Sequence, residues 1–422
     1  KAVVEKPEDE NGVSSFQALM VSTASRVGTG NIIGVSSAIC IGGFGSVFWM
    51  WIIAIIGSAS ALIESTLAQI YKRKGKDGEC YGGPAYYIEA ALHCRPLAII
   101  FCISMIATYA FGFNMLASYN LQSTFSGFSF YDVKWTPWII GGILALITGW
   151  CLLGGGSRIV KVTSTLVPAM GVAYILISVI VMIINRAYLP VVFSKIISEA
   201  FDFKAIFGAF AGSAMMQGIR RGLYSNEAGI GSAPNASASA QVSHPIKQGL
   251  VQMLSVFIDT LLLCTATAMM CLSSGIAPAQ ELQGAPWVQA ALHESLGNFG
   301  PLFITVAMVL FAFTTLLGNC FYCDNLLNYI HKGQPSKTFM KGFRIVSALV
   351  VFIGAGMEVS MLWNISDVLM GVMALINIPV ILILSNTALK ALADYEKQKK
   401  NGENPVFKTR NIGLEYETDY WS

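Results

Sequence analysis

Four sets of residues in this chain have types and spacings that could do chemistry. Gly28-Thr29-Gly30-Asn31 interrupts an apolar stretch running from Phe16 to Phe48, and Thr314-Thr315 with Asn319 sits in a second long apolar run. Ser213 and Gln217-Gly218 punctuate a third, which also holds Gly208 and Gly212, while Arg26 and Glu64 each place a charge inside an apolar segment. A helix that opens at Gly28 exposes backbone groups. Its first half ends at Val27 on free carbonyls, a partial negative pole, and its second half starts near Gly30 on free N–H groups, a positive pole. The carbonyls of Ala24 and Val27 suit a cation, and the N–H groups around Gly30 suit a carboxylate. A zwitterion together with a cation satisfies both poles. Close helix packing, with no ligand, is the simpler use for glycines at 28, 30 and 34.

Adjacent threonines in an apolar helix commonly donate to carbonyls one turn back. The Thr314 and Thr315 hydroxyls with the Phe311 carbonyl can also complete an oxygen shell around a hard monovalent cation. Such a shell without a carboxylate suits sodium better than calcium or magnesium. Gln217 and Ser213 offer contacts to a substrate, or interhelical hydrogen bonds without one. Arg26 and Glu64 lie well inside their segments at ~1.5 Å per residue. Unpaired charge in hydrocarbon is costly, so an Arg26–Glu64 ion pair at an inner gate is expected, with proton relay as the sharper alternative.

Other chemistries find little support. Gly28-Thr-Gly-Asn-Ile-Ile-Gly34 has the wrong last spacing for a dinucleotide fingerprint and follows no strand. His93, His244, His293 and His331 are scattered at loops, so neither a metal cluster nor a catalytic triad can be drawn. Cys320 and Cys323 have no second pair at metal spacing. Most of the nine cysteines lie in apolar runs, so no structural disulfide is expected. A net charge of only +3 gives no basic field for nucleic acid.

The elements that must position these residues are membrane helices. With 54% hydrophobic and 12% charged residues, the chain holds apolar runs near 16–41, 45–70, 97–122, 137–154, 162–185, 205–224, 249–274, 300–327, 342–358 and 361–387. Each approaches the ~20 residues needed to cross ~30 Å of hydrocarbon, and none alternates as a transmembrane strand would. Alternate loops carry about 20 Lys and Arg residues on one side against 4 on the other, which puts both ends in the cytoplasm. The expected organisation is a cytoplasmic segment 1–15, a ten-helix domain 16–390 and a cytoplasmic tail 391–422. Loop 275–299, free of Lys and Arg, is external and suits a short helix over the mouth. Segment 225–248, rich in Ser, Ala and Gly and entered through Arg220, Arg221 and Glu227, reads as a cytoplasmic gate hinge. Breaks in the first and sixth of ten spans fall at equivalent positions of a five-plus-five repeat, the pattern of inverted-repeat transporters.

Several motifs resemble one family. Ser15-Phe-Gln-Ala-Leu, Gly28-Thr-Gly-Asn-Ile-Ile-Gly-Val, Gly42-Gly-Phe-Gly-Ser-Val-Phe-Trp-Met-Trp51, Tyr81-Gly-Gly-Pro-Ala-Tyr-Tyr87 and Arg221-Gly-Leu-Tyr-Ser-Asn-Glu-Ala-Gly-Ile-Gly-Ser-Ala-Pro234 together resemble the alanine or glycine:cation symporters. The resemblance covers about residues 14–390. It implies an all-α LeuT-type fold with discontinuous helices 1 and 6, and sodium-coupled import of a small neutral amino acid through the plasma membrane by alternating access. It assigns Gly28, Thr29, Gly30, Asn31, Gln217 and Gly218 to substrate, with Ser213 beside them, and Thr314 and Thr315 to sodium. Such proteins usually carry one more helix before Ser15, which implies that the chain starts after it. Asn319 stands where some alanine-type relatives have an aromatic residue, and Ala117 near where they have Gln, so glutamine is an alternative to alanine and glycine. Proton coupling, and an amino acid receptor without flux, are the rival functions.

Overall fold

The computed structural model describes residues 2–5, 7, 12–75, 79–202, 212–414 and 418–421. Helix α1 (Ser15–Arg26) starts from a reciprocal cap: the Gln17 N–H donates to Ser14 Oγ at 3.1 Å and the Ser14 N–H to Gln17 Oε1 at 2.9 Å. It stops at Val27, and α2 (Gly30–Gly42) resumes through a π-helical turn over Gly30–Gly34. The expected break is therefore present at 27–29. Next come α3 (Gly45–Ile70), α4 (Pro84–Leu92), α5 (Arg95–Ser123), α6 (Thr136–Leu153), α7 (Gly155–Ile184) and the short α8 (Leu189–Ala200).

The sixth span departs from expectation. Residues 203–211, including Gly208, lie outside the described residues. From Ser213, whose hydroxyl caps it, α9 (Ala214–Asn226) runs unbroken through Gln217 and Gly218. It ends at Glu227, and a non-helical turn through Gly229 and Gly231, both with positive φ near 80°, leads to α10 (Ala233–Ser237). These glycines adopt backbone conformations that side chains disfavour. The break thus follows α9 instead of falling within it. Segment 225–248, expected as a cytoplasmic gate hinge, is buried except for the half-buried Ser243.

The chain continues with α11 (Pro245–Leu272), the short α12 (Ala285–Leu296) in the loop expected to carry a helix, α13 (Phe299–Ile330), α14 (Lys337–Gly354) and α15 (Val359–Lys400). Helix α15 outruns its expected end near 387 because Ala, Leu, Lys, Glu and Gln continue to Lys400, until Gly402 takes positive φ. Among the described residues, seven helices, α3, α5, α6, α7, α11, α13 and α15, are each long and apolar enough to cross a membrane. Leu146 and Trp150 of α6 and Leu375 and Leu382 of α15 are among the large apolar side chains left exposed for acyl chains. All nine cysteines are free thiols.

At the end shared by the start of α11 and the end of α3, the tail folds back. The Phe407 N–H donates to the Ser243 carbonyl at 2.9 Å, Trp421 Nε1 to the Gln69 carbonyl at 2.8 Å, and Lys72 Nζ lies 3.6 Å from the Tyr420 ring centre. His244 is sealed beneath: Nδ1 accepts the Ile246 N–H at 3.2 Å, and Nε2 lies 3.4 Å from Asp394 Oδ2. Burial pushes the His244 pKa down to about 4, against the opposing pull of Asp394. The folded value lies below the ordinary ~6.5, so the unfolded chain binds the extra proton first and stability falls as pH drops through that window. Melting of the purified protein should therefore shift downward between pH 7 and pH 5, and His244→Gln should reduce that shift. An unchanged shift in the variant would remove His244 as its source.

Candidate functional site

The site grows from the interruption at Val27. The Val27 N–H still reaches the Thr23 carbonyl at 2.7 Å, but the Gly28 N–H donates to Asn31 Oδ1 at 2.8 Å. That capture deprives the Ala24 carbonyl of its next helical partner. Gly28 has room for no side chain: a Cβ there would come within 2.0 Å of Thr315 Oγ1. Thr315 Oγ1 is buried and has no hydrogen-bond partner, while the Thr314 hydroxyl donates to the carbonyls of Leu310 at 3.0 Å and Phe311 at 3.2 Å. The predicted cation ligands Ala24, Val27, Phe311, Thr314 and Thr315 are all buried, on α1 and α13, which pack together. A hydroxyl that donates down its own helix keeps lone pairs for a cation.

Around Gly30 and Asn31 the structure supplies residues that sequence reasoning missed. Asn31 Nδ2 donates to Asp259 Oδ1 at 2.7 Å, and Asp259 Oδ2 accepts from Ser225 Oγ at 2.8 Å and Thr260 Oγ1 at 2.9 Å. Asn120 Nδ2 donates to Thr29 Oγ1 at 3.1 Å, leaving its buried Oδ1 without a partner. The Tyr224 ring fills the space beside Gly30, where a Cβ would come within 2.9 Å of it. Asn31, Tyr109 and Asp259 all lie in π-helical turns, over Gly30–Gly34, Ala107–Gly112 and Phe257–Cys264, which redirect side chains inside otherwise regular spans.

Three expectations need correction. Ser213, Gln217 and Gly218 do not reach the break. A Cβ on Gly42 would lie 2.9 Å from Gln217 Cβ, and Gly218 packs on the Ser46 carbonyl and Trp49. Gly42 is about 16 Å along α2 from Asn31, since each helical residue rises ~1.5 Å. The residues of α9 that face the break are Tyr224 and Ser225, because the interruption follows Asn226. Second, Arg26 and Glu64 do not pair. Glu64 accepts from the N–H groups of Gly229 at 3.3 Å and Gly231 at 3.2 Å and from Asn377 Nδ2 at 2.9 Å, so it holds the sixth-span turn. Arg26 Nη1 donates to Gln252 Oε1 at 3.3 Å, and its Nε and Nη2 have no partner. Third, Asn319 is committed between Ser25 Oγ at 2.8 Å and Asn114 Oδ1 at 2.9 Å, one turn along α13 from Thr315.

On the α2 side of the break, Tyr224 packs edge-on between Phe113 and Trp363, with ring centres 4.9 and 5.0 Å away. Trp363 lies 3.9 Å from Arg221, which pairs with both Asp367 oxygens at 3.2 and 2.7 Å. This stack lies on the Gly30 side of the break. On the α1 side, a cavity of about 970 Å³ is lined by residues including Gln17, Val160, Asn235, Phe321 and Asn325. The signal that could have located the sixth-span turn is Gly229-Ile-Gly231, which repeats the Gly-x-Gly spacing of Gly28-Thr-Gly30.

Replacing Asn31 by Ala removes both the acceptor of the Gly28 N–H and a donor to Asp259. Each buried group so orphaned costs about 1–3 kcal/mol. The variant should melt at lower temperature than a surface control such as Asn298→Ala. Equal melting temperatures would show that Asn31 does not hold the break.

Comparison with known proteins bears on the family and the fold. Residues 1–409 match the profile of the "Sodium:alanine symporter family". The "Amino-acid carrier protein AlsT" of Bacillus subtilis (strain 168) is 44% identical over 413 residues, 98% of this chain and 86% of that protein. The "Probable sodium/glutamine symporter GlnT" of the same organism is 42% identical, over 94% of this chain and 82% of its own length. Among solved structures, MhsT in complex with L-phenylalanine superposes with a TM-score of 0.62 at 15% identity, over 90% of each chain, which shows the LeuT-type fold.

Proposed function

The chain belongs to the sodium:alanine symporter family, and from that premise we propose that it couples inward movement of sodium to uptake of a small neutral amino acid. It is a multi-pass membrane transporter of amino acids and not an enzyme. The observation that carries the finer reading is the unpartnered Thr315 hydroxyl facing Gly28, beside an Ala24 carbonyl that has lost its helical partner. Sodium supplies the missing partner to both. The oxygens of Ala24, Val27, Phe311, Thr314 and Thr315 form its shell, and it ties α1 to α13. The amino acid carboxylate takes the N–H groups at the start of α2, where the helix pole favours it. Thr29, Gly30, Asn120 and Tyr224 bound its place. Both ligands draw on one interruption, so each stabilises the backbone arrangement that the other needs.

Orientation follows from the charged loops. Moving Arg220 and Arg221 to the α2 half, where α9 places them, changes the count from 20 against 4 to 18 against 6, which still assigns α1 and the tail to the cytoplasm. The cavity beside Gln17 and Phe321 is then a cytoplasmic vestibule, and the Arg221–Asp367 pair with Trp363 and Tyr224 is the closed outer gate. Asn319 lies below the site, which leaves Ala117 and Asn120 of α5 nearer the side-chain end of the pocket. Alanine, glycine and glutamine are the candidate substrates, glutamine through the likeness to GlnT.

In proteoliposomes, an imposed sodium gradient should drive accumulation of labelled alanine or glutamine, and a panel of unlabelled amino acids should rank the substrates by competition. Accumulation that ignores sodium while following a proton gradient would contradict the coupling. Replacing Thr314 and Thr315 together by Ala should raise the sodium concentration needed for half-maximal uptake at least tenfold. An unaltered sodium dependence would remove them from the ion site.

A further inference from the structure

Four ionisable side chains are sealed around the two breaks: Arg26 is 2% exposed, Glu227 1%, and Glu64 and Asp259 are fully buried. None makes an ion pair among the described residues. Three carboxyl groups face one guanidinium, and uncompensated charge in a bilayer interior is costly. Glu64 is satisfied by two backbone N–H groups and Asn377, and Asp259 by Asn31, Ser225 and Thr260, all of which donate. Glu227 differs. Its Oε2 accepts from Ser232 Oγ at 2.8 Å, but its Oε1 lies 2.9 Å from Ser25 Oγ, which also lies 2.8 Å from Asn319 Oδ1.

The direction of these bonds can be read from an atom that only accepts. The Ala110 carbonyl takes Asn114 Nδ2 at 3.4 Å, which turns Asn114 Oδ1 toward Asn319 Nδ2, 2.9 Å away. Asn319 Oδ1 therefore points at Ser25. The Ser25 hydroxyl has one hydrogen, and it goes to Asn319. The bond between Ser25 and Glu227 then requires its hydrogen on the glutamic acid. Independent of this count, Arg26 Nε and Nη2 are buried without hydrogen-bond partners, and the buried hydroxyls of Tyr109 and Tyr322 lie against Glu227 and Ser25. The groups that face Glu227 are Arg26 from α1, Tyr109 from α5, Tyr224 from its own helix and Tyr322 from α13, with Glu64 and Asp259 bonded to residues flanking it.

We propose that Glu227 is a proton-binding site, protonated on Oε1 and donating to Ser25 Oγ while the pathway is closed. On binding, a hydronium O–H bond breaks as the Glu227 Oε1–H bond forms and water is left; when α1 moves away from α10 the Glu227 bond breaks and water takes the proton back as hydronium. The hydrogen count stands on its own. The charge balance rests on the sodium reading: sodium and Arg26 offset Glu64 and Asp259, and the proton neutralises Glu227.

The test is infrared spectroscopy of the full chain in lipid, which reads the carbonyl stretch of a protonated carboxyl group and needs no substrate. Glu227→Gln keeps the shape and an N–H donor toward Ser25. It should abolish one such band and, in uptake, remove the fall in sodium-driven transport expected of the wild type as pH rises. A band that survives in Glu227→Gln, with an unchanged pH profile, overturns the proposal. If that variant does not fold, Ser25→Ala serves instead. Losing the acceptor should shift the same band to higher frequency, and an unmoved band is contrary to the assignment. Absence of amino acid flux with the band present would sink the symport reading while leaving the proton site in place.

Discussion

The structure depends on one constraint: inside a bilayer, backbone groups released by an interrupted helix must find partners within the protein. At Val27 to Asn31 this is met in two ways. The N–H of Gly28 is taken by the Asn31 side chain, which frees the Ala24 carbonyl, and the unpartnered Thr315 hydroxyl of the neighbouring helix lies against Gly28. The break is thus held open from within by Asn31 and left incomplete toward α13. The proposed sodium site lies there, between the end of α1 and Thr315 of α13.

The second interruption is built differently. Glu227 to Ser232 turns through Gly229 and Gly231, and their N–H groups are bound by the Glu64 carboxylate of α3. One break uses an amide four residues from its start, and the other uses a carboxylate from a different span. The two meet through Tyr224 against Gly30 and through Asp259, which is bonded to Asn31 on one side and Ser225 on the other. Movement of α2 therefore cannot leave the sixth span unaffected. In the proposed function, the same contacts would link the sodium site to the stack of Tyr224, Trp363 and Arg221. Alternating access needs such a linkage between a fixed binding site and two gates.

Much of this was legible in the sequence. Long apolar runs mark the spans, though among the described residues seven helices against ten expected runs are long and apolar enough to cross. Gly28-Thr29-Gly30-Asn31 marks the first break because glycines and an amide are out of place in a lipid-facing helix. The sixth-span turn was misplaced for a physical reason: Ser225 to Ala240 has the composition of a solvated loop, yet its polar groups are satisfied by buried partners such as Glu64, Asn325 and Asn377. Hydropathy cannot distinguish water from protein as the partner. The expected Arg26–Glu64 pair failed likewise, since similar depth fixes neither helix rotation nor rival donors. Asp259 and Asn120 escaped notice because each is a single polar residue in an apolar run, turned inward by packing and, for Asp259, by a π-helical turn.

The central claim is that sodium and the amino acid bind to one interruption and so stabilise each other. Linkage makes this measurable without transport: the factor by which sodium tightens amino acid binding must equal the factor by which the amino acid tightens sodium binding. Titrating purified protein with amino acid at a series of sodium concentrations, and with sodium at a series of amino acid concentrations, tests it most directly. The account predicts equal factors of at least about fivefold, a coupling of about 1 kcal/mol or more. An amino acid affinity that does not change between sodium-free and saturating sodium conditions would contradict it.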